Sequence, residues 1–456
     1  MKHARPPRLI SAGIALAIMG AAMAGALPAS ASTQSTLTVA YPSVCAFDSG
    51  PLATKWWDQV KVDFSEAYPN VTVKYIAIPG SYQDYVNSLS ALYRSASTAP
   101  DVAELPSAQL DQWSSSDYLL PLNSYLKTSS WFRKYPKVIK EEGEFNGKIY
   151  AVNAGENDNA LMYNEAIFKK VGIAVPWTPT SWQDIITTAK RIKSRMANVT
   201  PLWLDGGTDS GEVGLLEGIN NFIAGSSTPT IQTLAGKMVI DSPGIRAALG
   251  FYRQVYADGL GPSERALLNP NAAADLPSLL KAGKIGIAIG SNADGGDWTK
   301  LVGTPYWPRA ASTIGVASLP NEAGTGIASA LSGWDLAISS RAPDPKTAYD
   351  FISVAQEPSN VVDSADWAGW VPPVKSDWAL RGYTKFAPPF SADFAKIVRH
   401  GIETPTSPKY PIWAQGMNEA TGEFVDNPNT SVGQALRTLE KFVTEQLGSA
   451  SVTTLR

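Results

Sequence analysis

Apolar and polar positions alternate with period two in "LTVAY" (37–41) and "VTVKYIA" (71–77), which predicts two half-buried strands. Between them Trp57, Val60, Phe64 and Ala67 recur at helical spacing, and Pro69-Asn70 ends that helix. Tyr85, Leu89, Leu92 and Tyr93 mark one face of a second helix, and "APDVAEL" follows as a short strand. Strand, helix, strand, helix, strand is the order of a parallel sheet wound by helices. The pattern restarts after Gly172. Ser181 predicts an N-cap with Asp184 three residues on, close to a capping box, and Trp182, Ile185, Ile186, Ala189 and Ile192 face a core. "TPLWLDGG", "KIGIAIGS", "STIGVASLPN" and "SALSGWDLAIS" read as further strands, the last followed by the helix "DPKTAYDFISVAQ". Near the C-terminus Ser431 and Gln434 make a capping-box pair ahead of the stripe Val432, Ala435, Leu436, Leu439, Phe442 and Val443.

One stretch interrupts the pattern. "GKIYAVNAGENDNALMYNEAIFKKVG" (147–172) starts as a buried strand, breaks into polar and small residues, and resumes as an amphipathic helix. Asn153, Glu156, Asn157, Asp158 and Asn159 crowd into the break. The residue pattern allows either a plain loop or a hinge that carries ligand contacts.

The N-terminus changes the count of what folds. Lys2, Arg5 and Arg8 precede an apolar stretch from Leu9 to Leu27, and Ala29-Ser30-Ala31 is a small-x-small site. This predicts a secretory signal peptide over residues 1–31, with a retained membrane anchor as the alternative. About 425 residues then remain, enough for two domains or two interleaved lobes. Removal takes 38 basic against 41 acidic residues to 35 against 41, a net charge near −6. Nucleic acid is excluded as a partner, because such binding needs a basic surface. Charged residues are only 17% of the chain while Trp numbers 14, a balance that suits neutral, hydroxyl-rich ligands.

Cysteine and histidine narrow the chemistry further. Cys45 is the single cysteine and His400 is the only histidine beyond His3, so no intrachain disulfide, Cys-rich metal site or His-based zinc site is expected. His400 reads as a helix-end residue, and no nucleophile-elbow motif accompanies it. No metal, cofactor or catalytic residue is predicted.

The order of motifs resembles the extracellular solute-binding proteins of ABC importers, the family-1 carbohydrate type that includes maltose-binding protein. The carrying pieces are "FSEAYPNVTVKY", "APDVAELPSAQLDQWSSSDYLLPLNSYL", the 147–172 stretch continued through "IAVPWTPTSWQDIITTAKRI", and "IGVASLPNEAGTGIASALSGWDLAI" with "AYDFISVAQEPSN" after it. Each is weak alone; in this order over about 300 residues they agree across levels. The resemblance implies an α/β, two-lobe periplasmic-binding-protein-like fold (type II) with a ligand cleft between lobes. Lobe one is expected over 32–153 plus about 319–362, and lobe two over 159–313 plus about 367–448. Hinge crossings fall at 153–159 and about 314–321. Gly155 would supply backbone freedom at the first, and Glu156, Asn157 and Asp158 would contact ligand there, with local turn contacts as the plainer role.

Ligands of open α/β sheets lie beyond the C-terminal ends of strands, which selects further contacts. These are Ser43 and Asp48 after the first strand, Tyr82 after the second, Glu104 in the third, Asp205 after "LWL", and Asn292 and Trp298 after "KIGIAIGS". The resemblance adds Trp334, where the family often places a Trp against the ligand, then Trp367 and Trp370 in "DWAGWVPP". A Trp face suits the C–H face of a pyranose, with core packing as the alternative for each ring.

The expected function is a secreted, monomeric protein that captures a sugar or oligosaccharide and delivers it to ABC permease subunits. Val44 before Cys45 is wrong for a lipobox, so lipid anchoring is not expected. Two rivals remain at this level: a secreted glycoside hydrolase using paired carboxylates from Glu104, Asp158 and Asp205, and a ligand sensor for a membrane receptor.

Overall fold

The computed structural model describes residues 35–43, 51–80, 82–209, 211–269, 272–298, 306–368, 370–380 and 389–456. The signal stretch, Cys45 and Asp48 fall outside these, as does the side chain of Trp367. Ten strands carry the architecture: β1 (Ser35–Pro42), β2 (Val71–Ile78), β3 (Val102–Pro106), β4 (Ala151–Asn157), β5 (Asn159–Asn164), β6 (Thr200–Trp203), β7 (Ile285–Ser291), β8 (Ile314–Ala317), β9 (Ala330–Ile338) and β10 (Ile402–Glu403).

They divide between two sheets. The first runs β10-β9-β3-β1-β2, with β4 on the other side of β9. Strands β1, β2 and β3 are parallel, as their helical connections require, whereas β9 runs antiparallel to β3 and β4. The second sheet runs β8-β5-β7-β6, with β5 antiparallel to both neighbours. Each has its own apolar core. Helix α1 (Pro51–Ala67) buries Trp57, Val60 and Phe64, and α2 (Tyr82–Tyr93) buries Tyr85, Leu89 and Tyr93, in the first. Helix α3 (Trp182–Arg195) buries Ile185, Ile186, Ala189 and Ile192 in the second. Late in the chain α4 (Pro345–Ala355) and α5 (Pro358–Ala368) cover the first sheet, while α6 (Tyr410–Asp426) and α7 (Val432–Leu447) pack in the second unit.

The helix starts follow local chemistry. Ser431 and Gln434 satisfy each other's backbone N–H groups in a full capping box. At Ser181 the hydroxyl accepts from Asp184 N–H at 3.1 Å, but the Asp184 carboxylate turns one residue further back and accepts from Thr180 N–H at 2.9 Å. The reciprocal box is thus displaced onto Thr180, whose hydroxyl adds a second donor to the same oxygen.

The chain passes between the sheets three times. The first passage is shorter than the polar break in the sequence suggested: β4 belongs to one sheet, β5 to the other, and only Asp158 separates them. Asn153 to Asn157 therefore form a strand, not a loop, with backbone groups paired to β9. The second passage lies between Ala317 and Ala330, later than the expected 314–321, with a small hairpin, Leu319–Pro320 against Ile327–Ala328, built into it. The return expected near 367 is a mixed stretch: Trp370 and Val374 pack in the first core, Val371 between them packs in the second, and Phe394, Ala395 and Ile397 follow in the second. Among the described residues no helix is long and apolar enough to cross a membrane.

Candidate ligand cleft

The C-terminal ends of β1, β2 and β3, with the start of β9 and the end of β4, form one edge of the first sheet. The ends of β6 and β7 with the start of β5 form the corresponding edge of the second. Asp158 joins the two edges, so the residues beyond these strand ends gather around it.

Register decides which side chains share a face. Asp335 pairs with Asn153 and Gly333 with Glu156, while the register shifts between Trp334 and Asp335. The shift leaves Ala154 as an extra residue and brings Asn153 and Glu156 to the same side, together with Gly333 and Asp335. Glu403 is paired with Leu331, two residues before Gly333, and so joins that side too. Glu142, from the end of the short helix Lys137–Glu142, completes the group, and its Oε2 accepts from Asn153 Nδ2 at 2.8 Å. Carboxylate oxygens of Glu142, Glu156 and Glu403 all lie within 4.8 Å of one another.

Ionising this acidic face carries a high cost. Both oxygens of Glu156 and of Asp335, Oε1 of Glu142 and of Glu403, and Oδ1 of Asn153 are buried without a hydrogen-bond partner. Burial raises the Glu156 carboxyl well above the usual range, and Glu142 and Glu403 beside it raise it further. Burial likewise raises Asp335, Glu403 and Glu142, with like-charged neighbours adding to the first two. Glu142 and Glu156 stand close enough to share a proton.

The opposite face of the crossing is aromatic. Trp334 is buried, 6.2 Å from Tyr82 and 5.7 Å from Tyr85 between ring centroids. Trp370 lies over Gly155, where a Cβ would stand 2.0 Å from its Cε3. Gly155 is needed for this close approach; its φ is not in the left-handed region. The backbone of Val371 exchanges hydrogen bonds of 3.2 Å with Glu156.

From the second sheet, Asn292 Oδ1 accepts from Asp158 N–H at 2.9 Å and its Nδ2 donates to the Glu156 carbonyl at 2.9 Å. Asn159 Nδ2 donates to the carbonyls of Leu216 and Ala330. The Asp158 carboxylate is fully buried, and burial raises it well above the usual range. Asp205 accepts from Trp203 Nε1 at 3.0 Å, and burial pushes its carboxyl up to about 6. Glu212 is pushed up to about 7 by burial, against the opposing effect of the Tyr82 hydroxyl. Tyr82 belongs to the first unit and Glu212 to the second, and the Tyr82 hydroxyl and Glu212 Oε1 are both buried without a hydrogen-bond partner.

The structure thus brings Tyr82, Glu156, Asn157, Asp158, Asn292, Trp334 and Trp370 around the crossing, with Asp205 at the facing edge. Ser43 stands at the end of β1, its N–H donating to the Ile78 carbonyl. Two residues lie deeper than expected. Glu104 is in the first core, where its Oε2 accepts from Trp57 Nε1 at 3.3 Å. Trp298 is in the second core, donating to the Pro277 carbonyl and flanked by Trp307 and Phe390. Sequence reasoning missed Glu142, Asp335, Glu403, Glu212 and the pair Asn220–Tyr410, joined by a 2.7 Å hydrogen bond.

Two α/β units joined by crossing strands, with a polar and aromatic cleft at their facing edges, define a two-lobed binding protein. The family model of the bacterial extracellular solute-binding proteins matches residues 59–380, and the chain belongs to that family. An ABC transporter-binding protein of Deinococcus radiodurans is 23% identical over 333 residues, 71% of this chain and 74% of that protein. The fold is shared with maltose-bound MalE3 of T. maritima (TM-score 0.73, 19% identity, 90% of this chain and 100% of that one). It is shared equally with the sugar-binding protein MalE of Xanthomonas citri (TM-score 0.74, 19% identity, 91% and 98%).

Proposed function

We propose that this protein captures a sugar, oligosaccharide or related polyol in the cleft around Asp158 and delivers it to the membrane subunits of an ABC importer. One observation carries the reading. Asn157, Asp158, Asn159 and Asn220 each keep a buried side-chain oxygen without a partner where the two lobes meet. Buried acceptors of this kind are costly unless a donor reaches them, and sugar hydroxyls are donors. Tyr82, Trp334 and Trp370 add apolar surface beside them. Relatives of the same fold bind maltose in T. maritima and ribitol in Agrobacterium radiobacter, which supports a neutral polyhydroxyl ligand.

The protein performs no chemistry on its ligand and acts as a secreted monomer after loss of residues 1–31. The two lobes turn about the passages at Asp158 and 317–330, and the closed form is the one the permease accepts. Candidate contacts are Ser43, Asp48, Tyr82, Glu156, Asn157, Asp158, Asp205, Asn292, Trp334, Trp367 and Trp370. A thermal-shift screen of the protein lacking residues 1–31 against mono-, di- and oligosaccharides and polyols tests this. A ligand that binds only the folded state raises the melting temperature, by about 2.7 kcal/mol of stabilisation at a hundred times its Kd. A screen in which no sugar or polyol raises it, while peptides or organic anions do, would sink the reading.

A further inference from the structure

We propose that Glu142, Glu156 and Glu403, with the Asn153 side-chain carbonyl, form a binding site for a divalent cation, with calcium as the best fit. The first observation is geometric. One carboxylate oxygen from each of the three glutamates lies within 4.8 Å of the other two. Calcium takes oxygen ligands at about 2.3–2.6 Å, so ligands on opposite sides of one ion stand roughly 5 Å apart. Three oxygens within this span fit a single coordination shell.

The second observation concerns a neutral group. Asn153 is 1% exposed, and its amide nitrogen is held by Glu142. Its carbonyl oxygen sits beside the same carboxylate with no donor of its own. Repulsion among acids gives no reason for an amide oxygen to be buried there, but an ion that coordinates amide carbonyls does. All the donors are oxygens, with no His or Cys among them, which selects calcium, magnesium or manganese over zinc or copper. Calcium tolerates varied ligand geometry and takes carboxylate and amide oxygens together, whereas magnesium demands an octahedron and keeps several of its waters.

The third observation is charge balance. The ion pairs among the described residues lie elsewhere, and none involves Glu142, Glu156, Asp335 or Glu403. A dication would take the place of the protons that burial holds on these carboxyls and balance the charge of two of them. Gly333 permits the cluster to close: a Cβ there would stand 2.8 Å from Glu142 Oε1 and from Asn153 Nδ2. Glu403 also lines a cavity of about 210 Å³ with Asn220 and Thr404, which gives an ion a route to the cluster.

The consequence is mechanical. Glu142 and Glu156 belong to the first lobe, whereas Glu403 follows the stretch 391–400, whose helix packs against β5 of the second. An ion held by all three ties the last passage of the chain to the first. Calcium would then set the stiffness of the hinge region before any sugar arrives.

The test uses the protein lacking residues 1–31, stripped with a chelator and returned to chelator-free buffer without sugar. Equilibrium dialysis against calcium chloride, read by elemental analysis, is expected to give about one calcium per chain. Calcium at saturating concentration is expected to raise the melting temperature by about 3 °C or more. Glu156→Gln and Glu403→Gln should each weaken calcium binding at least about tenfold, while raising the stability of the calcium-free protein because they remove a repelling charge. Asp258→Asn, in a surface ion pair with Lys190, should leave calcium binding unchanged. Absence of bound calcium, magnesium or manganese, with no thermal shift from any of them, would overturn the proposal and leave a proton-sharing carboxyl cluster. A thermal shift from amine-bearing sugars but none from calcium would also overturn it, assigning the cluster to a ligand ammonium. The outcome is separable from the sugar reading: a neutral-sugar hit without a calcium effect sinks only the ion site, and the converse sinks only the sugar.

Discussion

Trp334 and Asp205 show how single residues in the cleft divide structural from binding work. The Trp334 ring is enclosed by Tyr82 and Tyr85 in the first core and is 3% exposed. Its truncation to Ala should therefore cost about 3–5 kcal/mol of stability, measured by denaturant unfolding. A loss below about 1 kcal/mol would count against its packing between Tyr82 and Tyr85 in the first core. Asp205 gives a pH signature. Its folded pKa of about 6 exceeds the ordinary 3.8, so the folded state holds the proton more tightly than the unfolded chain. That contribution is complete below about pH 4 and is lost as pH rises through 6, a difference of about 3 kcal/mol. Asp205→Asn should remove that part of the pH dependence, because Asn still accepts from Trp203 Nε1 and carries no charge. Parallel stability-versus-pH curves for the two proteins would count against burial of this carboxyl.

The crossing strands β4 and β9 pack tightly against the late chain. Gly155 faces the Trp370 ring at a distance that no Cβ can share. Gly155→Ala should displace Trp370, destabilise the fold by about 1–3 kcal/mol as overpacking does, and change the tryptophan fluorescence. Wild-type stability and spectrum together would remove Trp370 from its place over the crossing. These strands also show what was legible in the sequence. Alternation and capping marked most strands and helix starts, since those signals are local. The polar run at 153–159 was visible as an anomaly, but its strand conformation was not, because the pairing partner lies about 180 residues away in β9. The acidic face was hidden for a related reason. Glu142 sits in a charged run that reads as a solvated helix end, and Glu403 in a loop without periodicity. Only the displaced register at Ala154 brings Asn153 and Glu156 to one side. Asp335 did leave a trace: a carboxylate in the middle of the otherwise apolar "SGWDLAI" strand is an exception to burial rules.

In the whole molecule two cores are joined through three passages, and ligand capture by rotation of the lobes requires that binding be the entire reaction. Incubation with each sugar that raises the melting temperature should leave the sugar intact by chromatography. Steady hydrolysis abolished by Glu156→Gln or Asp158→Asn would make the paired carboxylates catalytic and the protein a glycosidase. The most direct test of the central claim is small-angle X-ray scattering of the protein lacking residues 1–31, with and without a saturating sugar from the screen. Closure of the lobes over ligand predicts a smaller radius of gyration and a shorter maximum dimension in the bound state. Identical scattering at saturation would contradict capture by lobe closure and leave a rigid, preformed site.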